Sequence, residues 1–235
     1  MELVRVKTGI EGLDQMLKGG LIQNRSYIVV GGPGTGKTIL SMQFLVEGAR
    51  HGEEGLFVAL EENGSELREN MSMFNWDLKR IKIVDTSQEL SGKWIMRVES
   101  VVAGPELTLG NILTILKEYV NKYNIKRVVI DSLTSFKIMQ RSSVDYRRAI
   151  LTLMKFLSTV GCTAIMTVET DEKDEIMEEF LASGAIELGF VEHSGEWLTF
   201  IRIKKMRGMS IDQHVRPMRI NENGMVVFAK ETLLR

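Results

Sequence analysis

The chain has a single cysteine, Cys162, so an internal disulfide is excluded. That cysteine falls in the apolar stretch 162–166 and reads as a small packed residue of a core strand. Histidine is nearly as scarce: His51, His193 and His214 stand apart, with no cysteine or carboxylate at ligand spacing, which argues against a transition-metal site. An excess of charge is missing too. Thirty basic residues against thirty-one acidic ones give a net charge of -1, so no global basic field would recruit nucleic acid or an anionic membrane, and only a local patch remains open. No run approaches the ~18 apolar residues of a membrane span, and the opening residues, MELVR, are not those of a signal peptide. A cytoplasmic protein without membrane attachment is expected. With no internal repeat, low-complexity tract or linker, the 235 residues, 44% of them hydrophobic, are read as one domain over 1–235.

What is present is an alternation of short apolar runs with longer helical patterns, the mark of a parallel sheet covered by helices on both faces. The runs predict strands near 26–31, 55–61, 81–85, 127–131 and 162–169. Helices are predicted over 37–51, 64–74, 106–123 and 144–160, the last with Ile150, Leu153, Met154 and Leu157 on one face. Met71, Met73 and Phe74 read as helix core, with Trp76 packed at the end. Beyond residue 184 the segments 185–192, 197–204, 215–221 and 225–229 read as successive strands, with turns at 193–195 and 221–224. The fold class is therefore α/β, a mostly parallel central sheet with helices on both faces and a C-terminal antiparallel extension. Segment 87–105 is the least regular and reads as a surface excursion.

One loop carries a sharp chemical signal. Gly31-Gly32-Pro33-Gly34-Thr35-Gly36-Lys37-Thr38 fits the template G-x-x-x-x-G-K-[ST] without a mismatch, and it lies between an apolar strand and a helix, as a phosphate-binding loop must. Gly31, Gly34 and Gly36 let the backbone curl so that its N–H groups converge on phosphates; Lys37 would reach the β- and γ-phosphates and Thr38 would offer a hydroxyl to Mg²⁺. A nucleoside triphosphate is the expected ligand.

Three further groups could complete such a site. Asp131 ends the apolar strand 127–131, the place for a carboxylate that holds magnesium. Glu61 and Glu62 end a strand expected close to that of the phosphate loop, facing the crevice where ligands bind in parallel sheets; one of them would orient and deprotonate the attacking water. The competing reading makes them the first turn of the next helix, although Asn63 and Ser65 are available as its caps. Lys205 and Arg207 follow the strand 197–203. They are two apart and so share one side of an extended segment; they present two cations to one target, or form a solvated edge.

Taken together, Thr8-Gly9-Ile10-Glu11-Gly12-Leu13-Asp14, Gly19-Gly20-Leu21, the phosphate loop, Leu60-Glu61-Glu62, Phe74-Asn75-Trp76-Asp77-Leu78, Val129-Ile130-Asp131-Ser132-Leu133 and Lys205-Met206-Arg207-Gly208 resemble the KaiC family of RecA-like P-loop ATPases over nearly the whole chain. The resemblance implies a hexameric ring with ATP between subunits, a catalytic role for Glu61 and Glu62, and Lys205 and Arg207 reaching the γ-phosphate of the neighbour. The circadian-clock member has two such domains in tandem and this chain one, so the clock function does not transfer. Segment 178–183 lacks the adjacent Ser-Thr pair on which that protein phosphorylates itself, so the same autokinase activity is not expected. After Gly208 the sequence runs Met209-Ser210-Ile211-Asp212-Gln213-His214 where the family often has an earlier histidine, leaving base and ribose contacts open.

The leading expectation is a Mg²⁺-dependent ATPase, turning ATP into ADP and phosphate, regulatory or signalling in role, in which subunits of a homo-oligomer complete each other's sites. The alternatives are a scaffold that ATP assembles for a protein partner with negligible turnover, and a DNA-dependent ATPase. Nucleic acid is disfavoured because residues 171–179 carry six acids and one base, a balance of -5 that would repel phosphates wherever it is exposed. Lys137, Arg141, Arg147 and Arg148 near the preceding loop weigh the other way, although the last two are expected on a helix.

Overall fold

The computed structural model describes residues 3–86, 108–138, 140, 142–170, 176–193 and 195–233. The segment read as a surface excursion, 87–105, and most of the acidic stretch, 171–175, lie outside the described residues. In chain order the strands are β1 (Arg5–Val6), β2 (Leu21–Ile22), β3 (Ser26–Gly31), β4 (Glu54–Ala59), β5 (Ile81–Asp85), β6 (Ile125–Asp131), β7 (Thr163–Glu169), β8 (Gly184–His193), β9 (Glu196–Met206), β10 (Arg216–Asn221) and β11 (Gly224–Val227). The helices are α1 (Glu11–Met16), α2 (Lys37–Arg50), α3 (Gly64–Met71), α4 (Leu109–Tyr123), α5 (Leu133–Ile138), α6 (Ser143–Thr159) and α7 (Met177–Leu181).

Period-two alternation explains why helices cover both faces of the sheet. Tyr27, Val29, Phe57, Val129 and Ile165 point into one core with Leu40, Phe44 and Leu45 of α2. Their neighbours Ile28, Val30, Leu56, Val58, Val128 and Ile130 point into the other, against Ile112 and Leu116 of α4 and Ile150, Leu153 and Leu157 of α6. Strands buried on both sides must be apolar throughout, as β3 is. Burying each of these large side chains contributes on the order of 1.5–3 kcal/mol.

The large sheet has nine strands in the order β11-β10-β9-β8-β3-β7-β6-β4-β5. Two expectations change here. The first C-terminal segment, β8, is not part of the antiparallel extension: it pairs in parallel with β3, Ile28 opposite Ala185, and antiparallel pairing begins only at β9. The strand leading to Glu61 and Glu62, β4, is not beside β3 either, because β7 and β6 intervene.

Local chemistry fixes the helix starts. Asn63 accepts from Ser65 N–H, Thr108 from Asn111 N–H, and Ser142 from Asp145 N–H, each side chain filling an otherwise unmatched donor of the first turn. α3 ends at Met71 rather than 74, so Met71 and Phe74 are buried while Met73 is 72% exposed, contrary to its reading as core. Trp76 stacks on Phe74 with ring centroids 4.5 Å apart and donates its indole N–H to Asn223 O. The small β1–β2 pair, α1, α5 and α7 were not expected; each is too short to show a period. No helix of the described residues is long and apolar enough to cross a membrane.

Candidate nucleotide site

The phosphate loop runs from the end of β3 into α2, and space or backbone angle requires glycine at Gly31, Gly34 and Gly36. A Cβ on Gly31 would lie 2.4 Å from Leu188 O, so only glycine lets β3 approach β8 there. Gly36 is the N-cap of α2 at φ 94°, a conformation that a side chain resists. It supplies no capping oxygen, and the first turn of α2 holds no acid, so the N–H groups of a 14-residue helix face the loop and favour an anion. Lys37 Nζ donates to the carbonyl oxygens of Gly31 and Gly32 at 2.9 Å each and lies 3.5 Å from Glu169 Oε1.

Asp131, at the end of β6, is the hub. Its Oδ2 accepts from the Thr38 hydroxyl at 2.7 Å, and its Oδ1 accepts from the Thr167 hydroxyl of β7. Burial raises the Asp131 pKa above the ordinary value, with the Glu61 carboxylate adding to the rise, while Thr167, Thr38 and Lys37 oppose it. A threonine hydroxyl and a carboxylate brought this close form a hard oxygen donor set, and the chemistry of that set fits Mg²⁺, which takes few protein ligands and keeps its waters.

Glu61 and Glu62 sit in the loop after β4, and α3 starts at Gly64 behind its Asn63 cap. They are therefore not the first turn of that helix. Glu61 Oε1 accepts from the Ser132 hydroxyl at 2.6 Å, the Ser135 N–H at 3.2 Å and the Ser135 hydroxyl at 2.6 Å. Among the described residues, Glu62 Oε1 accepts only from Asn70 Nδ2, at 2.7 Å. The Glu62 pKa is raised, first by burial and then by the charges of Asp131 and Glu66, against the Asn70 bond. Both carboxylates line a cleft of about 300 Å³ together with Gly34, Lys37, Thr38, Asp131, Glu169 and Ile220. A larger hollow of about 570 Å³ lies between α1 and the β10–β11 hairpin, but no phosphate-loop residue lines it.

The structure thus brings together Gly31–Thr38, Asp131, Glu61 and Glu62, with Pro33 exposed at the loop's tip. It does not bring Lys205 and Arg207 to them. Lys205 pairs with Ala185, which stands opposite Ile28, and Met206 pairs with Gly184 opposite Tyr27. The two cations are at the end where the parallel strands start, Lys205 three residues and roughly 10 Å of strand from Gly31 and Arg207 further on. There both turn to backbone carbonyls of residues 179–182. Lys205 Nζ donates to the carbonyls of Glu179, Phe180 and Ala182 at 2.7, 3.2 and 3.1 Å, and Arg207 Nη2 to Phe180 O at 2.6 Å. Burial lowers the Lys205 pKa, and the Arg207 charge adds to this against Glu179. The neighbouring Lys204, exposed, pairs with Glu179 at 2.6 Å. That pair, and the complete burial of Glu178, also remove two acids from the field that residues 171–179 were expected to present. Arg147 and Arg148 lie exposed on α6.

Several site residues escaped the sequence reading. Glu169 ends β7 as Asp131 ends β6, so the same signal, a carboxylate closing a parallel strand, was there to find. Thr167 is a lone hydroxyl inside an apolar run. Ser132, Ser135 and Ile220 gave no signal, since only the fold carries the start of α5 and the last hairpin to the cleft.

The chain is similar to known proteins over most of its length. The family model described as the KaiC ATPase matches residues 6–232. The UPF0273 protein of Aeropyrum pernix is 35% identical, with 95% of this chain and 93% of that one covered. The UPF0273 protein of Thermotoga maritima is 33% identical over 97% of both chains. Among solved structures, a KaiC-like protein of Pyrococcus horikoshii superposes with a TM-score of 0.82 at 33% identity, covering 97% of this chain and 100% of that one.

Proposed function

The chain belongs to the KaiC family of ATPases and is a P-loop ATP-binding protein, and from that premise we propose that it is a Mg²⁺-dependent ATPase, folded as one domain over 1–235, whose active sites are completed by neighbouring subunits of a ring, with six subunits the expected number. Lys37 and the N–H groups of the loop bind the β- and γ-phosphates of ATP, and Thr38 and Asp131 hold the ion. When bound, Mg²⁺ neutralises charge that develops on the phosphate oxygens. Glu62 accepts the proton of the attacking water, and Glu61, held by Ser132 and Ser135, keeps the pair in position. The raised Glu62 pKa supports this division, because a stronger base takes a proton more readily near neutral pH. Lys205 and Arg207 reach the γ-phosphate of the adjacent subunit and stabilise the transferring group. The products are ADP and phosphate, and the role is regulatory, read by a protein partner.

One observation carries the intersubunit reading. Lys205 and Arg207 are bound side by side to the same short helix at the end of the sheet away from their own phosphate loop, and beside them Phe180 is 63% exposed. Paired cations next to an exposed aromatic suit contact with a second copy. The test is the molecular mass with and without ATP and Mg²⁺, measured alongside hydrolysis at several protein concentrations. A ring that forms with ATP, and a specific activity that rises with concentration until assembly is complete, are expected. A strict monomer that hydrolyses ATP at full rate would falsify the reading.

A further inference from the structure

The helix that carries those two cations is itself held in an unusual way. α7 has only five residues, too few for its internal hydrogen bonds to fix it, so its position depends on its anchor. That anchor is polar. Glu178 is fully buried, and burial of a carboxylate is costly unless it is bonded. Its Oε1 accepts from the Tyr146 hydroxyl of α6 at 2.5 Å, while its Oε2 has no partner among the described residues. Tyr146 is also buried and packs against Phe136 of α5, ring centroids 5.9 Å apart. An apolar side chain would fill the same space at less cost, so what the pair provides is a directed bond that fixes the depth and rotation of α7. The C-terminal turn of α7 presents the carbonyls of Glu179 and Phe180, and Ala182 follows; these are the oxygens on which Lys205 and Arg207 rest.

We propose that Tyr146 and Glu178 are positioning residues for Lys205 and Arg207: their buried hydroxyl–carboxylate bond anchors α7, and the α7 carbonyls aim the two cations at the nucleotide of the adjacent subunit. This rests on the intersubunit reading above. Neither residue lines the cleft of its own chain. Their effect is on the neighbour's reaction, where a misplacement of about 1 Å can cost about 10²-fold in rate.

The test uses the double variant Tyr146→Phe/Glu178→Met, which replaces both partners by apolar groups of similar shape and leaves no buried polar atom unmatched. Its thermal unfolding and its affinity for a fluorescent ATP analogue are expected to stay near those of the unaltered protein, while kcat falls by about tenfold or more with KM little changed. Tyr146→Phe alone, which leaves the buried Glu178 carboxylate without its donor, is expected to lower kcat in the same way and to unfold at a lower temperature than the double variant. Glu178→Gln, which keeps an acceptor for Tyr146, is expected to keep most of the activity. Mixing then separates the two levels of the proposal. Subunits bearing Glu61→Gln and Glu62→Gln cannot hydrolyse ATP but carry unaltered cations, so co-assembly with them is expected to restore turnover at the double variant's own phosphate loops. Lys205→Ala subunits mixed the same way provide the reference. Recovery with Lys205→Ala but not with the double variant, or full activity of the double variant alone, overturns the positioning role and leaves the shared site standing. No recovery with Lys205→Ala overturns the shared site, and the positioning role with it.

Discussion

Thr38 donates its hydroxyl to Asp131 across 2.7 Å, and that bond joins the first turn of α2 to the end of β6. The two residues lie far apart in sequence, and the strand that leads into the phosphate loop, β3, is not a neighbour of β6, since β7 separates them. β7 contributes as well, through Thr167, which holds the other oxygen of the same carboxylate. The oxygen pair proposed to hold Mg²⁺ is therefore held together by α2, β6 and β7.

Asp131→Asn keeps the size of the side chain and removes its charge. Hydrolysis at saturating ATP and Mg²⁺ is expected to fall by about 10²- to 10³-fold, as when one charge-stabilising group leaves an active site. Thr38→Ala is expected to weaken Mg²⁺ dependence in the same direction. Phosphate release titrated against Mg²⁺ measures both, and wild-type behaviour of Asp131→Asn would remove this residue from the site.

Glu62→Gln takes away the proposed base and is expected to reduce kcat by about 10²- to 10⁴-fold, with ATP affinity retained. Glu61→Gln keeps an acceptor for Ser132 and Ser135 and is expected to cost less. Single-turnover hydrolysis with each variant checks the order, and a larger loss from Glu61→Gln would reverse the assignment.

Lys205→Ala and Arg207→Ala each remove a cation proposed to act on the adjacent subunit. The rate is expected to fall by about 10³-fold, the low end for a cation supplied to a transferring phosphoryl group. Equilibrium binding of ATP to the variant's own phosphate loop should be unaffected, because neither side chain approaches it. Loss of binding together with loss of rate would point to misfolding.

Arg127 belongs to the fold and not to the chemistry. It is buried, donates to Glu53 at 2.5 Å and to the carbonyls of Lys7 and Phe44 at 2.7 and 2.9 Å, and lies over the Phe44 ring. Arg127→Ala leaves two carbonyls and a carboxylate without their donor and is expected to cost about 3 kcal/mol of stability. Denaturant unfolding measures it, and a loss below about 1 kcal/mol would show that water replaces the guanidinium.

Asp212 gives the stability a pH dependence. Burial raises its pKa, but the backbone and ring of His214 and the guanidinium of Arg216 outweigh that and hold it below 3.8. A carboxyl lowered in this way binds fewer protons folded than unfolded. Its contribution is complete above the ordinary carboxylate range and is lost as pH falls through the lowered value. Asp212→Asn is expected to lower the melting temperature at pH 7 by about 2–4 °C and to lessen the decline below pH 4. An unchanged acid limb would assign that decline to other groups.

Much of this was legible in the sequence because it is local. A glycine-rich loop between an apolar strand and a helix can be read without knowing what surrounds it, and so can a carboxylate at the end of a buried strand. Period two and period 3.6 gave the strands and the longer helices, since one element holds enough residues to display them. Short elements such as α5 and α7 do not. Their shape is imposed by what they pack against.

By itself the sequence determined the phosphate loop, the alternation of strands and helices, and the residue types of a nucleotide site, because each depends on spacing within one stretch of chain. Only the tertiary structure decided the strand order, the place of β8 in the parallel part, the serines that hold Glu61, and the buried Tyr146–Glu178 bond. It also decided that Lys205 and Arg207 stand at the far end of the sheet from their own phosphate loop. These depend on which distant segments meet, and pairing over a long separation is fixed by the packing of the whole chain and not by any pattern inside one segment.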